Sequence, residues 1–205
     1  SMNENNRRLG VLISGRGSNL QAIMDAIANG RLAATIAIVV SNKPDAAGLD
    51  RASVAGIDTV LVEPRAFASK ETYDAALIDV LQRYDVGLVC LAGFMRLLGA
   101  SVVEAFPNRI LNIHPSILPA FPGLHGQRQA LRHGAKITGA TVHIVTSDLD
   151  AGPIVLQAPV SVEESDTTDM LSERILLEEH RIYPEAIGIL LDGRWRIEGR
   201  RFLRS

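Results

Sequence analysis

Cysteine is almost missing from this chain. The single one, Cys90, sits in an apolar run, so no internal disulfide can form and a reducing, cytoplasmic setting is expected. Aromatic residues are scarce at 4%, which argues against a surface built to stack nucleic-acid bases. An excess of one charge is lacking too. The formal net charge is −2 and the basic residues are scattered, so neither nucleic acid nor an anionic membrane is an expected partner. No apolar run approaches the roughly 20 residues that span a bilayer. The first eight residues are polar and carry no signal-peptide core, and Ser1 ahead of Met2 looks added. Residues 1–8 are therefore expected to be a disordered or expression-derived tail, and 9–205 a single domain.

What is present is a core-forming composition. In 205 residues 47% are hydrophobic, enough for one sizeable core. Short apolar runs alternate with helical patterns: Leu9–Ile13, Ala34–Val40, Thr59–Val62, Val86–Leu91 and the run at Ile110. Between them fall helices after Ser18, over Ala46–Ala55, over Ser69–Tyr84 with Ser69 as cap, and over Ser101–Phe106. Continuously apolar strands separated by helices predict a mostly parallel, doubly wound α/β sheet of Rossmann-like type. After a short helix at Gln127–His133, two longer runs, Ile137–Thr146 and Ile154–Val162, predict an antiparallel C-terminal extension. Thr168–Leu191 reads as a long helix that Pro184 kinks or splits, and Trp195–Phe202 as one last strand.

The first strand runs into Gly15-Arg16-Gly17-Ser18-Asn19, then a helix. Such a turn aims free backbone N–H groups at an anion. A dinucleotide fingerprint would need glycine where Leu20 stands and an acid after the second strand, which instead ends Val40-Ser41-Asn42. A single phosphate fits, as does a tight turn with no ligand.

The most distinctive stretch is Asn112-Ile113-His114-Pro115-Ser116-Ile117-Leu118-Pro119-Ala120-Phe121-Pro122-Gly123-Leu124-His125. In an extended backbone Asn112 and His114 share a face. Three prolines stiffen the loop behind them. A carboxylate beside the imidazole would orient it and favour its charged form. Asp150, in the loop ending Gly152-Pro153, is a candidate, and Asp148 an equal one two positions earlier. Such a group could donate a proton or stabilise an oxyanion, with the Asn112 amide as an uncharged second donor. Each residue also has a plainer reading, as a loop tie, a packed histidine or a turn aspartate. His114, His125, His143 and Asp150 lack the short paired spacing of a zinc site. Ser116 lacks a nucleophile elbow. His133 and His180 read as helix residues.

These stretches resemble the glycinamide ribonucleotide formyltransferases, folate-dependent enzymes of purine synthesis. The likeness extends through Ile13–Ile23, Val40–Lys43, Leu91–Arg96, Gly139–His143, Asp150–Ile154 and Glu179–Pro184, covering about Leu9 to Gly193. Methionyl-tRNA formyltransferases and formyltetrahydrofolate hydrolases share the Asn-x-His pair, and Phe121-Pro122-Gly123-Leu124-His125 favours the purine branch. The resemblance implies a formyltransferase fold with Asn112, His114 and Asp150 as catalytic trio. It implies Gly17, Ser18, Asn19 and Glu179 on the ribonucleotide. It implies Met95, Arg96, Leu97, Leu98, Thr146, Ser147, Asp148 and Leu149 on the folate. Lys70 stands where an arginine often reaches the folate, and Leu176 where a polar residue often serves the nucleotide side. The co-substrate implied is 10-formyltetrahydrofolate, without a metal. The partners implied are small molecules, with the chain a monomer or homodimer. A hydrolase that releases formate and a non-catalytic nucleotide-binding domain are the competing readings.

Overall fold

The computed structural model describes residues 5–205, so part of the tail expected at 1–8 lies outside the described residues. Within the rest of it, the Asn6 amide nitrogen donates to the Asp85 carbonyl at 2.9 Å, and Arg8 already belongs to the first strand.

The elements run in the order β1 (Arg8–Ile13), α1 (Ser18–Ala28), β2 (Thr35–Ser41), α2 (Ala47–Val54), β3 (Thr59–Leu61), α3 (Lys70–Arg83), β4 (Leu88–Leu91), α4 (Ala100–Ala105) and β5 (Ile110–His114). Then come α5 (Gly126–His133), β6 (Ile137–Ile144), β7 (Ile154–Ser161), α6 (Thr168–Asp192), β8 (Trp195–Glu198) and β9 (Arg201–Arg204). The strands hydrogen-bond in the order β3-β2-β1-β4-β5-β6-β7, and β8 pairs with β9 separately. The α/β class read from the sequence, with an antiparallel addition at its C-terminal side, is the observed one.

The chain divides into two compact units, one ending at Leu111 and one beginning at Asn112. In the first, β1 is flanked in parallel by β2 and β4, and β2 by β3. Leu9, Val11, Leu12 and Ile13 are all fully buried, which explains the unbroken apolar run: a parallel strand covered on both faces has no polar side. Ser69 caps α3 in a capping box with Thr72, as the sequence suggested.

In the second unit β6 and β7 run antiparallel, and α6 packs on both. Two expectations are corrected by this unit. Pro184 does not split α6: one helix runs from Thr168 to Asp192 with the proline inside it. A mid-helix proline costs about 3 kcal/mol. The burial of Ile182, Tyr183, Ile187 and Leu190 around it is large enough to offset that. The C-terminal segment is also not one strand but a hairpin, turned at Gly199 with φ +61° and closed by Trp195 stacked on Phe202 at 5.1 Å. Among the described residues no helix is long and apolar enough to cross a membrane.

Candidate active site

The polar centre of the second unit is assembled from three places in its sequence. β5 supplies Asn112 and His114, two residues apart on one face as the strand period requires. β6 supplies His143, and the loop after β6 supplies Asp150, whose backbone is held at φ +50°. The Asp150 carboxylate lies between two imidazoles. Its Oδ2 is 3.7 Å from His114 Nδ1 and its Oδ1 is 3.7 Å from His143 Nε2. All three side chains are at least nine-tenths buried. Asp148, the equal candidate by spacing, is exposed, and its backbone amide donates to Thr146 Oγ1. Burial decides between them.

The proline-rich loop fixes both His114 and Asp150. His114 Nε2 donates to the Phe121 carbonyl at 2.9 Å, because a carbonyl oxygen can only accept. Two residues on, the Gly123 amide donates to Asp150 Oδ2 at 2.7 Å. Phe121 holds φ +56° and Gly123 φ +77°, and these two left-handed turns bring a carbonyl and an amide to one site. The loop is itself tied down. Leu118 N donates to Thr141 Oγ1, Thr141 Oγ1 to the Ser116 carbonyl, and Gln129 Nε2 to the carbonyls of Pro122 and Leu124. Ser116 is fully buried with its hydroxyl donated to Ala120, a structural use and not a nucleophilic one. The Leu118–Pro119 bond is cis.

His114 therefore has an oxygen toward each ring nitrogen, the Phe121 carbonyl in hydrogen-bond contact with Nε2 and the Asp150 carboxylate 3.7 Å from Nδ1. His143 is the opposite case. Its Nδ1 donates to the Ile144 carbonyl at 3.2 Å, leaving the Nε2 lone pair to accept from Asn112 Nδ2 at 3.3 Å. Burial holds its pKa below the ordinary histidine value, against the pull of the Ile144 carbonyl and Asp150, so it is the neutral ring of the pair. Sequence reasoning assigned His143 no such role. It appeared there only as a rejected zinc ligand and as the end of the family-like stretch Gly139–His143. The arrangement offers an amide N–H, an imidazole and a buried carboxylate, groups of the kind that stabilise charge growing on a carbonyl oxygen.

The other expected residues are spread over both units. Gly17 caps α1 with φ +75° and no side-chain cap hydrogen bond, and Ser18 and Asn19 form the first turn of the helix behind it. A Cβ on Gly17 would stand 2.7 Å from the Gly48 Cα. Lys70 is exposed at the start of α3. Met95 and Leu97 are 61% and 62% exposed on the segment after β4, Arg96 lies over the Tyr73 ring, and Leu98 is half-buried. Thr146, Ser147, Asp148 and Leu149 share the loop that carries Asp150, with Leu149 exposed. Glu179 is buried on α6, where Leu176 is half-buried. Among the described residues no group of three His, Cys, Asp or Glu side chains is placed to hold a metal.

The chain matches the formyl transferase family model over residues 7–187. It is 49% identical over 187 residues to a phosphoribosylglycinamide formyltransferase from Escherichia coli, covering 91% of this chain and 88% of that one. A solved glycinamide ribonucleotide transformylase 1 from Symbiobacterium toebii superposes with a TM-score of 0.96 at 57% identity, covering 98% of this chain and 94% of that one. A formyltetrahydrofolate deformylase from Pseudomonas syringae is similar in fold, with a TM-score of 0.90, but only 25% identical; the match covers 97% of this chain and 66% of that one.

Proposed function

The chain belongs to the formyl transferase family, and we propose that it is a phosphoribosylglycinamide formyltransferase of purine synthesis. It moves a formyl group from N10 of 10-formyltetrahydrofolate to the primary amine of glycinamide ribonucleotide. The observation that carries the reading is the buried set of Asn112, His114 and Asp150, held in place by His143 and the Phe121–Gly123 turn.

The neutral amine attacks the formyl carbon, a C–N bond forms, and the carbonyl electron pair moves onto oxygen. Asn112 has one amide hydrogen committed to His143 and a second to give to that oxyanion. His114 donates a hydrogen bond to it from Nδ1–H and keeps that proton at this stage, since Nε2 is committed to Phe121. Each such donor is worth about 3–4 kcal/mol in the transition state. Asp150 stabilises the imidazolium and accepts the proton that the attacking nitrogen loses, directly or through one water. His114 Nδ1 then protonates N10 as the C–N10 bond breaks, leaving tetrahydrofolate and formylated product. No covalent enzyme intermediate is needed, in keeping with the structural use of Ser116.

Gly17, Ser18 and Asn19 take the ribonucleotide phosphate and Glu179 the ribose. Met95–Leu98 and Thr146–Leu149 take the folate, with Lys70 toward its anionic end. The partners are these small molecules, acting in the cytoplasm on a monomer or homodimer, with no metal, nucleic acid or membrane involved. The likeness to a deformylase keeps a hydrolytic reading open. Tetrahydrofolate release followed with and without glycinamide ribonucleotide separates the two. Release that requires the ribonucleotide supports transfer. Formate production without it would make the chain a hydrolase.

A further inference from the structure

We propose that Tyr73 and Asp74, neighbours on α3, are positioning residues that set folate affinity by holding the segment Met95–Leu98 without touching the folate. The inference rests on the reading of that segment as folate-binding.

The segment between β4 and α4 has no regular structure of its own, so its shape must be imposed from outside. It is held at three points. At its start the Met95 amide donates to Ser14 Oγ at 2.7 Å, and that hydroxyl donates to Asn42 Oδ1 at 2.6 Å. In its middle the Arg96 guanidinium lies 4.2 Å from the centre of the Tyr73 ring, a cation–π contact. At its end the Gly99 amide donates to Asp74, whose Oδ2 sits so close that a Cβ at Gly99 would be 2.1 Å from it.

Two of the three holds come from adjacent residues of one helix. Both are costly. Tyr73 is fully buried, and Asp74 is 2% exposed. Burial pushes the Asp74 carboxyl up; Lys70, Arg96 and the Gly99 amide act against it, while Glu71 adds to it. Its second oxygen has no hydrogen-bond partner among the described residues. Helix α3 needs none of this, since Ser69 and Thr72 already cap it. The segment so clamped displays Met95 and Leu97 to solvent. Apolar side chains held out on a rigid backbone suit a flat, largely apolar ligand.

Asp74→Ala, Asp74→Asn, Tyr73→Leu and Tyr73→Phe in the full chain test this. Folic acid binding is measured by calorimetry, and KM for each substrate and kcat by the transfer assay. Asp74→Ala and Tyr73→Leu are expected to weaken folic acid binding and raise the formylfolate KM by about tenfold, the loss of one charge-assisted or cation–π contact. The ribonucleotide KM should hold. Asp74→Asn keeps an acceptor for Gly99 and Tyr73→Phe keeps the ring, so both should lose less. Folate binding at the wild-type level in Asp74→Ala and Tyr73→Leu, or equal losses for both substrates, would overturn the proposal. If Asp74→Ala does not fold, the Tyr73 pair decides. If the wild-type chain binds no folic acid, the folate reading fails, and amide exchange at Arg96–Gly99 then tests the clamp alone. Faster exchange in Asp74→Ala or Tyr73→Leu supports it and unchanged exchange in both overturns it.

Discussion

The Nε2 lone pair of His143 faces the Asn112 side-chain nitrogen at 3.3 Å, and this settles which way the Asn112 amide points. An unaided amide could turn its oxygen toward the reacting carbonyl, where it would repel the developing charge. With His143 accepting, the nitrogen must face inward. His143→Leu, which fills the space but cannot accept, should therefore lower kcat by about tenfold or more, short of the 10²–10³ lost when a donor is removed outright. Steady-state kinetics with a thermal melt checks this. Unchanged kcat in a folded variant would release His143 from the mechanism.

The same contact predicts a dependence on pH. Burial holds the His143 pKa below the ordinary imidazole value of about 6.5. The unfolded chain thus takes up a proton at a higher pH than the folded one. Stability is full above about pH 6.5 and declines as pH falls toward the folded pKa. Protonation would also set an N–H against the Asn112 N–H. Melts and rates between about pH 5 and 7 should fall together with acid, and His143→Leu should flatten the His143 share of the stability loss.

Much of this site could be read from the sequence. Asn112 and His114 announce themselves, because a strand places residues two apart on one face and Pro115 extends the backbone. Spacing alone could not separate Asp150 from Asp148, and only the family resemblance did, since the difference is burial and burial depends on how the loop turns. His143 carried almost no signal: its role is a tautomer, fixed by a carbonyl one residue away and an amide on another strand. Pro184 misled for a related reason. Local propensity breaks a helix there, while the buried residues on both sides of it hold the helix together. The C-terminal hairpin was hidden because its turn needs only Gly199 and one further residue.

Two glycines separate close approach from backbone freedom. A Cβ on Gly152 would stand 1.7 Å from the Ile144 carbonyl oxygen, two residues from the Asp150 side chain it helps place. Gly30 has φ +80° with nothing near. Gly152→Ala should displace the loop and lose most of kcat. Gly30→Ala should cost about 1 kcal/mol of stability from its backbone strain and leave kcat alone. Melting temperature and kcat measured on both variants test the contrast.

The cradle at Gly17 predicts a loss on one substrate only. Gly17→Ala combines a strained φ of +75° with a 2.7 Å approach to Gly48. The α1 amides would shift and the ribonucleotide KM should rise by about tenfold or more, the worth of one or two charge-assisted hydrogen bonds. The formylfolate KM should not move. Initial rates with each substrate varied in turn check it.

Asp150→Asn is the sharpest probe of the chemistry. The amide oxygen can still accept from Gly123, so the loop keeps its anchor while the negative charge between His114 and His143 is removed. The measurement is a single-turnover rate of formyl transfer with both substrates saturating. A fall of about 10³-fold or more with both substrates still bound is the expected result, as when a carboxylate that holds a catalytic imidazole loses its charge. A rate within a few-fold of wild type would contradict the catalytic role of the His114–Asp150 pair.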